Sequence, residues 1–302
     1  MIERYIVNGG CSYVHKSIDS IRKILGHSIT NIEVIDIDCP ASSNRYISES
    51  IITAVNVLLE KGIDSEKIIV INNFTQIGRE NPIVPEKIQN EIKNNFLITQ
   101  NRVNYGVNYK FYNSFVELNK RMYCLMIGDE GLTEYGKEWY KKQEFYIEES
   151  RNIASVFENY LLDIVNLQRF LKNKKINQVS FLMNNVIDGW DKNFSHIYTK
   201  STKWELPSTK NTIHISEFSE YCKILWESID FESLLFYKTE NNKYGGIDEY
   251  FIDKIKDVDY LENTPQNKGE FYSNHPKSKV YELFTNEVLE PKLKKWKIQN
   301  IL

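Results

Sequence analysis

Two short segments near opposite ends of the chain carry residue types suited to acyl transfer. Residues 9–13 (GGCSY) follow the apolar run 5–8 (YIVN), and residues 273–276 (SNHP) lie near the carboxyl end. A glycine pair after a buried strand allows a tight turn that exposes the next side chain. Ser12 at such a turn can act as a nucleophile with backbone amides beside it, and His275 can act as a general base.

Each segment alone has a simpler interpretation. Ser12 on its own is typical of a turn with a helix N-cap, and His275 on its own is typical of a surface loop. Cys11 is a rival nucleophile, but it precedes the position that the turn exposes. Only the combination of the two segments, brought together by a fold, points to a catalytic site.

The hydrophobic pattern predicts alternating strands and helices around these segments. The apolar spacing predicts helices over residues 46–61, 153–171 and 280–288, and apolar runs predict strands over residues 5–8, 31–37, 68–71 and 179–183. Ser42, Ser43 and Asn44 offer N-cap oxygens to the first of these helices, and Gly62 ends it. Pro276 lies near the first turn of the last helix, and Pro291 ends or kinks it.

This order predicts one doubly wound α/β domain over residues 1–302. Two irregular stretches, at about 80–145 and 184–250, are predicted to be insertions, the first with short elements and the second with loops. Within the second, residues 244–248 (YGGID) are typical of a glycine turn. Folds of this class bind ligands at the carboxyl ends of their strands, where the turn after Asn8 would lie.

Four segments, in order, resemble the sequence blocks of the SGNH (GDSL) hydrolases. The segments are residues 10–13 (GCSY), 39–47 (CPASSNRYI), 68–79 (IIVINNFTQIGR) and 275–281 (HPKSKVY). The first block is GCS in many members of that family, including phage-encoded ones. The resemblance implies a flavodoxin-like three-layer α/β/α sandwich with a mainly parallel sheet and the two insertions.

The resemblance also implies a serine esterase or O-acetylesterase that needs no cofactor or metal. Ser12 would attack the ester carbonyl, and His275 would take its proton and return it to the leaving alcohol. The expected substrate is a small acyl ester or an acetylated glycan. The implied oxyanion-hole residues are Ser12, Ala41, Ser42 and Thr75, and the implied substrate-binding residues are Asn44, Asn73 and Arg79. Arg45 is a further candidate for binding an anion, with a surface ion pair as the equal alternative.

The sequence departs from the family pattern in the last block. Tyr272 and Ser273 stand where the family carries the acid that orients its histidine, so Glu270 or a distant Asp would have to substitute. Losing that acid in a comparable triad costs about 10⁴-fold in turnover. The alternative is therefore a catalytically degenerate protein of this fold that serves as a structural or binding component, for example in a phage virion. A third hypothesis, a nucleotide-binding protein that uses Gly9 and Gly10, lacks the full GxGxxG motif.

Composition narrows the class of protein. Of 302 residues, 41% are hydrophobic and 26% are charged, as in ordinary globular proteins, and the net charge of −3 comes without a basic stripe. We therefore expect no nucleic-acid partner and no membrane span, while a homo-oligomer or virion assembly stays open. The amino terminus has no signal-peptide pattern, which predicts a protein that is cytoplasmic as synthesised. Four widely spaced cysteines and five histidines suggest neither disulfides nor a zinc site.

Overall fold

The central element of the molecule is a five-stranded parallel sheet with helices on both faces. The computed structural model describes residues 4–10, 18–25, 32–37, 43–75, 134–150, 153–185, 218–240, 243–255, 261–263, 272–276 and 278–296. The strands of the sheet are β1 (Arg4–Gly9), β2 (Ile32–Asp36), β3 (Ile68–Phe74), β4 (Asn177–Leu182) and β5 (Leu234–Leu235). Their order is β2-β1-β3-β4-β5, and every pairing is parallel. The predicted flavodoxin-like α/β/α fold is confirmed.

The helices form the two outer layers. Their bounds are α1 (Ile18–Leu25), α2 (Asn44–Glu60), α3 (Glu134–Ser150), α4 (Ile153–Asn173), α5 (Glu220–Glu227), α6 (Ile247–Tyr250), α7 (Ser278–Phe284) and α8 (Glu290–Leu293). On one face α4 packs between α2 and α5, and on the other α1 contacts α8 while α6 contacts α7. Each layer buries its own hydrophobic cluster against the sheet, so both faces of the strands are covered.

The strands are apolar because parallel sheets are buried on both faces. All seven residues of β3 are buried, and Ile68, Ile69, Val70 and Ile71 are completely inaccessible to solvent. Their side chains alternate between the two clusters, with Ile68 and Val70 in one and Ile69 and Ile71 in the other. An unbroken apolar run in the sequence is the pattern that this environment requires.

Helix α2 begins and ends at the signals that the sequence carries. Among the three N-cap candidates, Ser43 is the one whose hydroxyl accepts from the backbone N–H of Tyr46, at 3.2 Å. The helix ends at Glu60, and Gly62 follows with a φ of 77°, a left-handed conformation that favours glycine. The predicted helix and both of its end signals are confirmed.

Gly9, at the end of β1, matters through its lack of a side chain. A Cβ placed there would lie 2.6 Å from Ile51 Cγ1 and 2.7 Å from Ile51 Cδ1. Ile51 is completely buried in α2. Glycine at this position therefore allows α2 to approach β1 closely, which brings the N-terminal half of the helix over the strand.

Two elements lie inside stretches that the sequence pattern assigned to insertions. Helix α3 has 17 residues, although residues 80–145 were expected to hold only short elements. Its described buried residues are Gly136 and Tyr140, a stripe too narrow to give a strong periodic signal. Strand β5, within residues 184–250, is part of the central sheet rather than of an insertion, and its two residues are too few to be recognised.

The carboxyl-terminal region also differs from the expected single helix. Strands β6 (Leu261–Asn263) and β7 (Tyr272–Pro276) form a separate antiparallel pair, and α7 begins after β7. Pro276 is thus the last residue of a strand rather than part of the helix. The π-helical segment Thr285–Leu289 joins α7 to α8, whose first turn contains Pro291. Proline has no N–H to donate to the preceding turn of a helix. The wider π-helical turns before Pro291 accommodate this missing hydrogen bond, and the helical path continues to Trp296.

Candidate active site

The candidate site lies where the carboxyl ends of β1, β3 and β4 meet. In the order β2-β1-β3-β4-β5, the chain direction across the sheet reverses between β1 and β3, and open α/β sheets bind ligands at that point. Gly9 at the end of β1 is paired with Asn72 of β3, and Phe74 of β3 is paired with Leu182 of β4. The three strands therefore end side by side at one edge of the sheet.

Asn8, in β1 beneath this edge, is tied to the neighbouring strand. It is completely buried, and its Nδ2 donates to Asp36 Oδ1 at 2.9 Å. The backbone N–H of Ile37 donates to the carbonyl oxygen of Asn8 at 2.9 Å and extends the same pairing. Asp36, one of two acidic residues that could bind a ribose in the nucleotide-binding hypothesis, is thus engaged with β1, and the other, Asp38, lies outside the described residues.

Asn44 and Thr75 form a side chain to backbone clamp between α2 and β3. The backbone N–H of Thr75 donates to Asn44 Oδ1 at 2.7 Å, and Asn44 Nδ2 donates to the Thr75 carbonyl oxygen at 3.3 Å. Both residues are buried. The clamp fixes the N-terminus of α2 against the end of β3, so the described geometry gives Asn44 a positioning role at the predicted substrate site.

The clamp also defines what Thr75 can contribute. Its backbone N–H is already bonded to Asn44, so any oxyanion contact must come from its hydroxyl group. That hydroxyl group donates to Met183 Sδ at 3.8 Å. Because a thioether sulfur is a weak acceptor, the hydroxyl group could donate to a stronger acceptor, such as an oxyanion, instead. The geometry therefore leaves the side chain, and not the amide, as the group that Thr75 can offer.

The asparagine pair of β3 is buried under the edge. Asn72 Oδ1 accepts from Ser180 Oγ at 2.6 Å, which joins β3 to β4. Asn73, predicted to bind substrate, is completely inaccessible in this structure. The assignment of Asn73 to substrate binding stays a prediction.

Several predicted residues lie outside the described part of the chain. Ser12, Ala41, Ser42 and Arg79 belong to this group. His275 is described only by its backbone. It lies on β7 (Tyr272–Pro276), three residues before α7 begins at Ser278. Arg45 forms an ion pair with Glu49 at 2.9 Å on the exposed face of α2, which is the alternative considered for it.

Asn184 is a residue of this edge that the sequence did not single out. It follows β4 and is only 1% exposed, yet neither its Oδ1 nor its Nδ2 has a hydrogen-bond partner in the described structure. Leaving buried polar atoms unpaired costs about 1–3 kcal/mol. No sequence signal marks it, because an asparagine after a strand is more often a turn residue.

Glu249 is a second residue that only the structure reveals. It is buried, and its two carboxylate oxygens accept from the backbone N–H groups of Asn185, at 2.9 Å, and Gly246, at 2.6 Å. Burial raises the pKa of Glu249 to about 7, while the two amide donors act in the opposite direction. The carboxyl group therefore joins the turn before α6 to the segment after β4.

Gly246 explains why that turn can approach β4. A Cβ at Gly246 would overlap the Leu182 carbonyl oxygen and lie 2.6 Å from the Met183 carbonyl carbon. The N–H of Asp248 donates to the Met183 carbonyl oxygen at 3.0 Å. The glycine turn predicted over residues 244–248 is thus a structural support for the end of β4.

Other classes of site find no support in the described residues. No group of three or more His, Cys, Asp or Glu side chains is placed to hold a metal ion in the portion of the chain that the structure describes. Among the described helices, none has the length and apolar composition that crossing a membrane demands. Cys222 is a free and completely buried thiol.

The chemistry open to this edge is binding and orientation of a small polar group. Three strand ends, the clamped start of α2 and the unpaired amide of Asn184 lie at this edge, and in the sequence Ser12 follows the end of β1 by three residues. Comparisons with protein-family models, curated proteins and solved structures find no match to the chain. The function must therefore be argued from the fold and from these residues.

Proposed function

We propose that the protein is an SGNH-type serine hydrolase that cleaves a small acyl ester, with Ser12 as nucleophile and His275 as base. The observation that carries the proposal is the arrangement of the first three sequence blocks around one sheet edge. Gly10 follows β1, Ser43 caps α2, and Thr75 follows β3, and each of these residues borders or belongs to a block that resembles the family.

The Asn44–Thr75 clamp supports this proposal because it joins two of those blocks directly. An oxyanion hole needs donors whose positions are fixed before the substrate binds. Two hydrogen bonds between a buried side chain and a backbone hold the start of α2 at a set distance from β3. The amides of Ala41 and Ser42, just before the Ser43 cap, are the proposed donors together with the amide of Ser12 and the hydroxyl of Thr75.

The lack of an acid beside His275 shapes the proposed mechanism. Tyr272 and Ser273 precede His275 on β7, so the base would act in a Ser–His dyad. His275 would take the proton of Ser12 as the ester carbonyl is attacked and then return it to the leaving alcohol. Water would release the acyl group by the same route in reverse. We expect slow turnover, since an unsupported histidine is poorly oriented.

The second candidate function is a retired active site in a structural or binding protein. The observation that favours it is a pair of exposed hydrophobic side chains one helical turn apart on α5, Tyr221 at 48% and Ile224 at 58% exposed. Exposed apolar groups of this kind can mark protein interfaces. A virion component or a homo-oligomer would use them, with no need for Ser12.

Hydrolysis of p-nitrophenyl acetate by wild type, Ser12→Ala and His275→Gln tests the first proposal against the second. We expect turnover by the wild type and background rates for both variants. Ser65→Ala is the matched control, because Ser65 lies in the turn before β3, at the opposite end of the strand from the site. Equal rates for wild type and Ser12→Ala, with all samples folded, would favour the retired site.

A further inference from the structure

A cavity of about 470 Å³ lies beside β5, at the edge of the sheet. Its volume is within the range of about 300–1,000 Å³ that is typical of small-molecule sites. The lining residues come from α5, the segment around β5 and the π-helical segment before α8: Trp226, Phe231, Leu234, Leu235, Phe236, Lys238, Tyr244 and Val288.

Aromatic rings form most of the wall of this cavity, and they brace one another. The ring of Trp226 meets Phe231 edge-on with centroids 4.8 Å apart, and it meets Tyr244 at 5.3 Å with an angle of 84°. Tyr244 in turn meets Phe236 at 5.4 Å and 81°. Edge-to-face contacts of this kind are favourable and directional, so the cavity is formed before any ligand arrives.

The cavity leaves apolar surface in contact with solvent. Phe231 is 41% exposed, and Trp226, Phe236 and Tyr244 are half-buried. Burying such rings against a ligand is favourable by about 25 cal/mol per Å² of apolar surface. A planar apolar molecule would gain this energy and could make the same edge-to-face contacts that the rings make among themselves.

Lys238 supplies a positive charge at the cavity. It is the charged side chain among the lining residues, it is exposed, and within the described structure it makes no ion pair. A cation at the rim of an aromatic cavity complements a ligand with an apolar body and one anionic group. Among the described lining residues there is no acidic side chain that would repel such a ligand.

We propose that this cavity binds a small aromatic carboxylate, with its ring among Trp226, Phe231 and Tyr244 and its carboxylate toward Lys238. A volume of about 470 Å³ has the size of a small-molecule site, whereas a protein partner would need a larger contact. The site does not depend on Ser12 or His275. Ligand binding at this cavity and hydrolase activity can therefore be tested independently, and failure of one does not affect the other.

Calorimetric titration with 2-naphthoate and with the neutral 2-naphthamide tests the assignment. We expect 2-naphthoate to bind the wild type saturably, and Lys238→Gln to weaken its binding by about two- to fivefold, as loss of an exposed charge pair does. Phe231→Ala should weaken both ligands by about tenfold or more through lost ring contact. The naphthamide should bind wild type and Lys238→Gln equally. Ser12→Ala should bind 2-naphthoate like the wild type, whatever its esterase activity.

Two matched controls separate the cavity from the general surface. Lys243→Gln removes an exposed lysine from the same region but outside the lining, and Tyr221→Ala removes a ring that is 48% exposed on α5. Both should bind 2-naphthoate like the wild type. The proposal is wrong if binding is absent, if the naphthamide binds as tightly as the naphthoate, or if the controls weaken binding equally. It is also wrong if Phe231→Ala abolishes self-association in sedimentation, because a second copy would then cover the cavity.

Discussion

Two asparagines at the candidate site are in opposite hydrogen-bonding states. Asn44 uses both polar atoms of its side chain to hold Thr75, whereas Asn184, equally buried, uses neither within the described structure. The first arrangement stabilises the fold. The second lowers stability, which is the pattern expected of a group kept for binding rather than for folding.

Replacing Asn184 with Leu should leave the stability unchanged or raise it by about 1 kcal/mol, because an apolar side chain of similar shape relieves the unpaired amide. The same variant should lower kcat/KM for an ester if the amide contacts substrate. Urea unfolding and ester kinetics on the one protein measure both effects.

Asn72→Leu is the control for this prediction. Ser180 would lose its acceptor at 2.6 Å, and we expect a loss of about 1–3 kcal/mol. If Asn184→Leu is as destabilising as Asn72→Leu, then Asn184 has a structural partner and is not a free ligand group.

Glu249 predicts a pH dependence of stability. Its pKa is raised from 4.5 to about 7, so the folded state holds its proton over a range in which the unfolded state has lost it. The free energy of unfolding should therefore fall as pH rises from about 4.5 to 7, by about 3 kcal/mol in total, and then level off. Below pH 4.5 the carboxyl group is protonated in both states and contributes no slope.

Glu249→Gln should flatten this dependence, since the amide does not titrate. The variant should be less stable than wild type at pH 5, because one amide donor then faces an NH₂ group instead of an acceptor. Urea unfolding at pH 5, 6, 7 and 8 measures the slope. Glu227→Gln, on the exposed side of α5, should keep the wild-type slope. An unchanged slope in Glu249→Gln would mean that another group is responsible.

At the scale of elements, the turn before α6 supports the end of β4 by close backbone contact. A Cβ at Gly246 would lie 2.6 Å from the Met183 carbonyl carbon and 2.7 Å from the Asn184 nitrogen. Both are backbone atoms of the segment that follows β4, so no side chain can rotate away. The contact therefore sets where Asn184 lies relative to the ends of the strands.

We expect Gly246→Ala to lower the free energy of unfolding by about 3 kcal/mol, at the upper end of the cost of overpacking. Gly62→Ala is the comparison, since no atom lies within 4 Å of its added Cβ and only the φ of 77° opposes it. Its cost should be about 1–2 kcal/mol. Thermal or urea unfolding shows which of the two variants loses more stability. A smaller loss for Gly246→Ala than for Gly62→Ala would contradict the close packing at Gly246.

The sequence predicted the elements that have a strong and continuous pattern. Strand β3 begins with four consecutive apolar residues, and α4 repeats its apolar residues every three or four positions, so both were assigned correctly. Strand β5 has two residues and is positioned by tertiary contacts, including the Gln168 and Gln178 side chains that meet at Ser233 Oγ. Such a strand has no local signal.

The candidate site was predictable only in part, for the same reason. Asn44 and Thr75 belong to the sequence blocks and were named in advance, but their mutual hydrogen bonds depend on α2 and β3 being adjacent. Asn184 and Glu249 have no motif. They become noticeable through burial and partners, which are properties of the folded chain.

At the scale of the whole molecule, the sheet order places the first and second halves of the chain around one edge. Strands β1 and β3 lie in the middle of the sheet, and their carboxyl ends flank the point where the connections diverge to opposite faces. The carboxyl-terminal helices α7 and α8 cover the same face of the sheet as α1, so the last part of the chain packs against the first.

Labelling with a fluorophosphonate probe tests the central claim, an activated Ser12, most directly. The probe forms a bond between its phosphorus and the serine oxygen with loss of fluoride, and it needs a base but no knowledge of the substrate. We expect wild type and Ser65→Ala to be labelled, and Ser12→Ala and His275→Ala to stay unlabelled while they remain folded. A folded wild type that takes no label, or label retained in Ser12→Ala, would contradict the account.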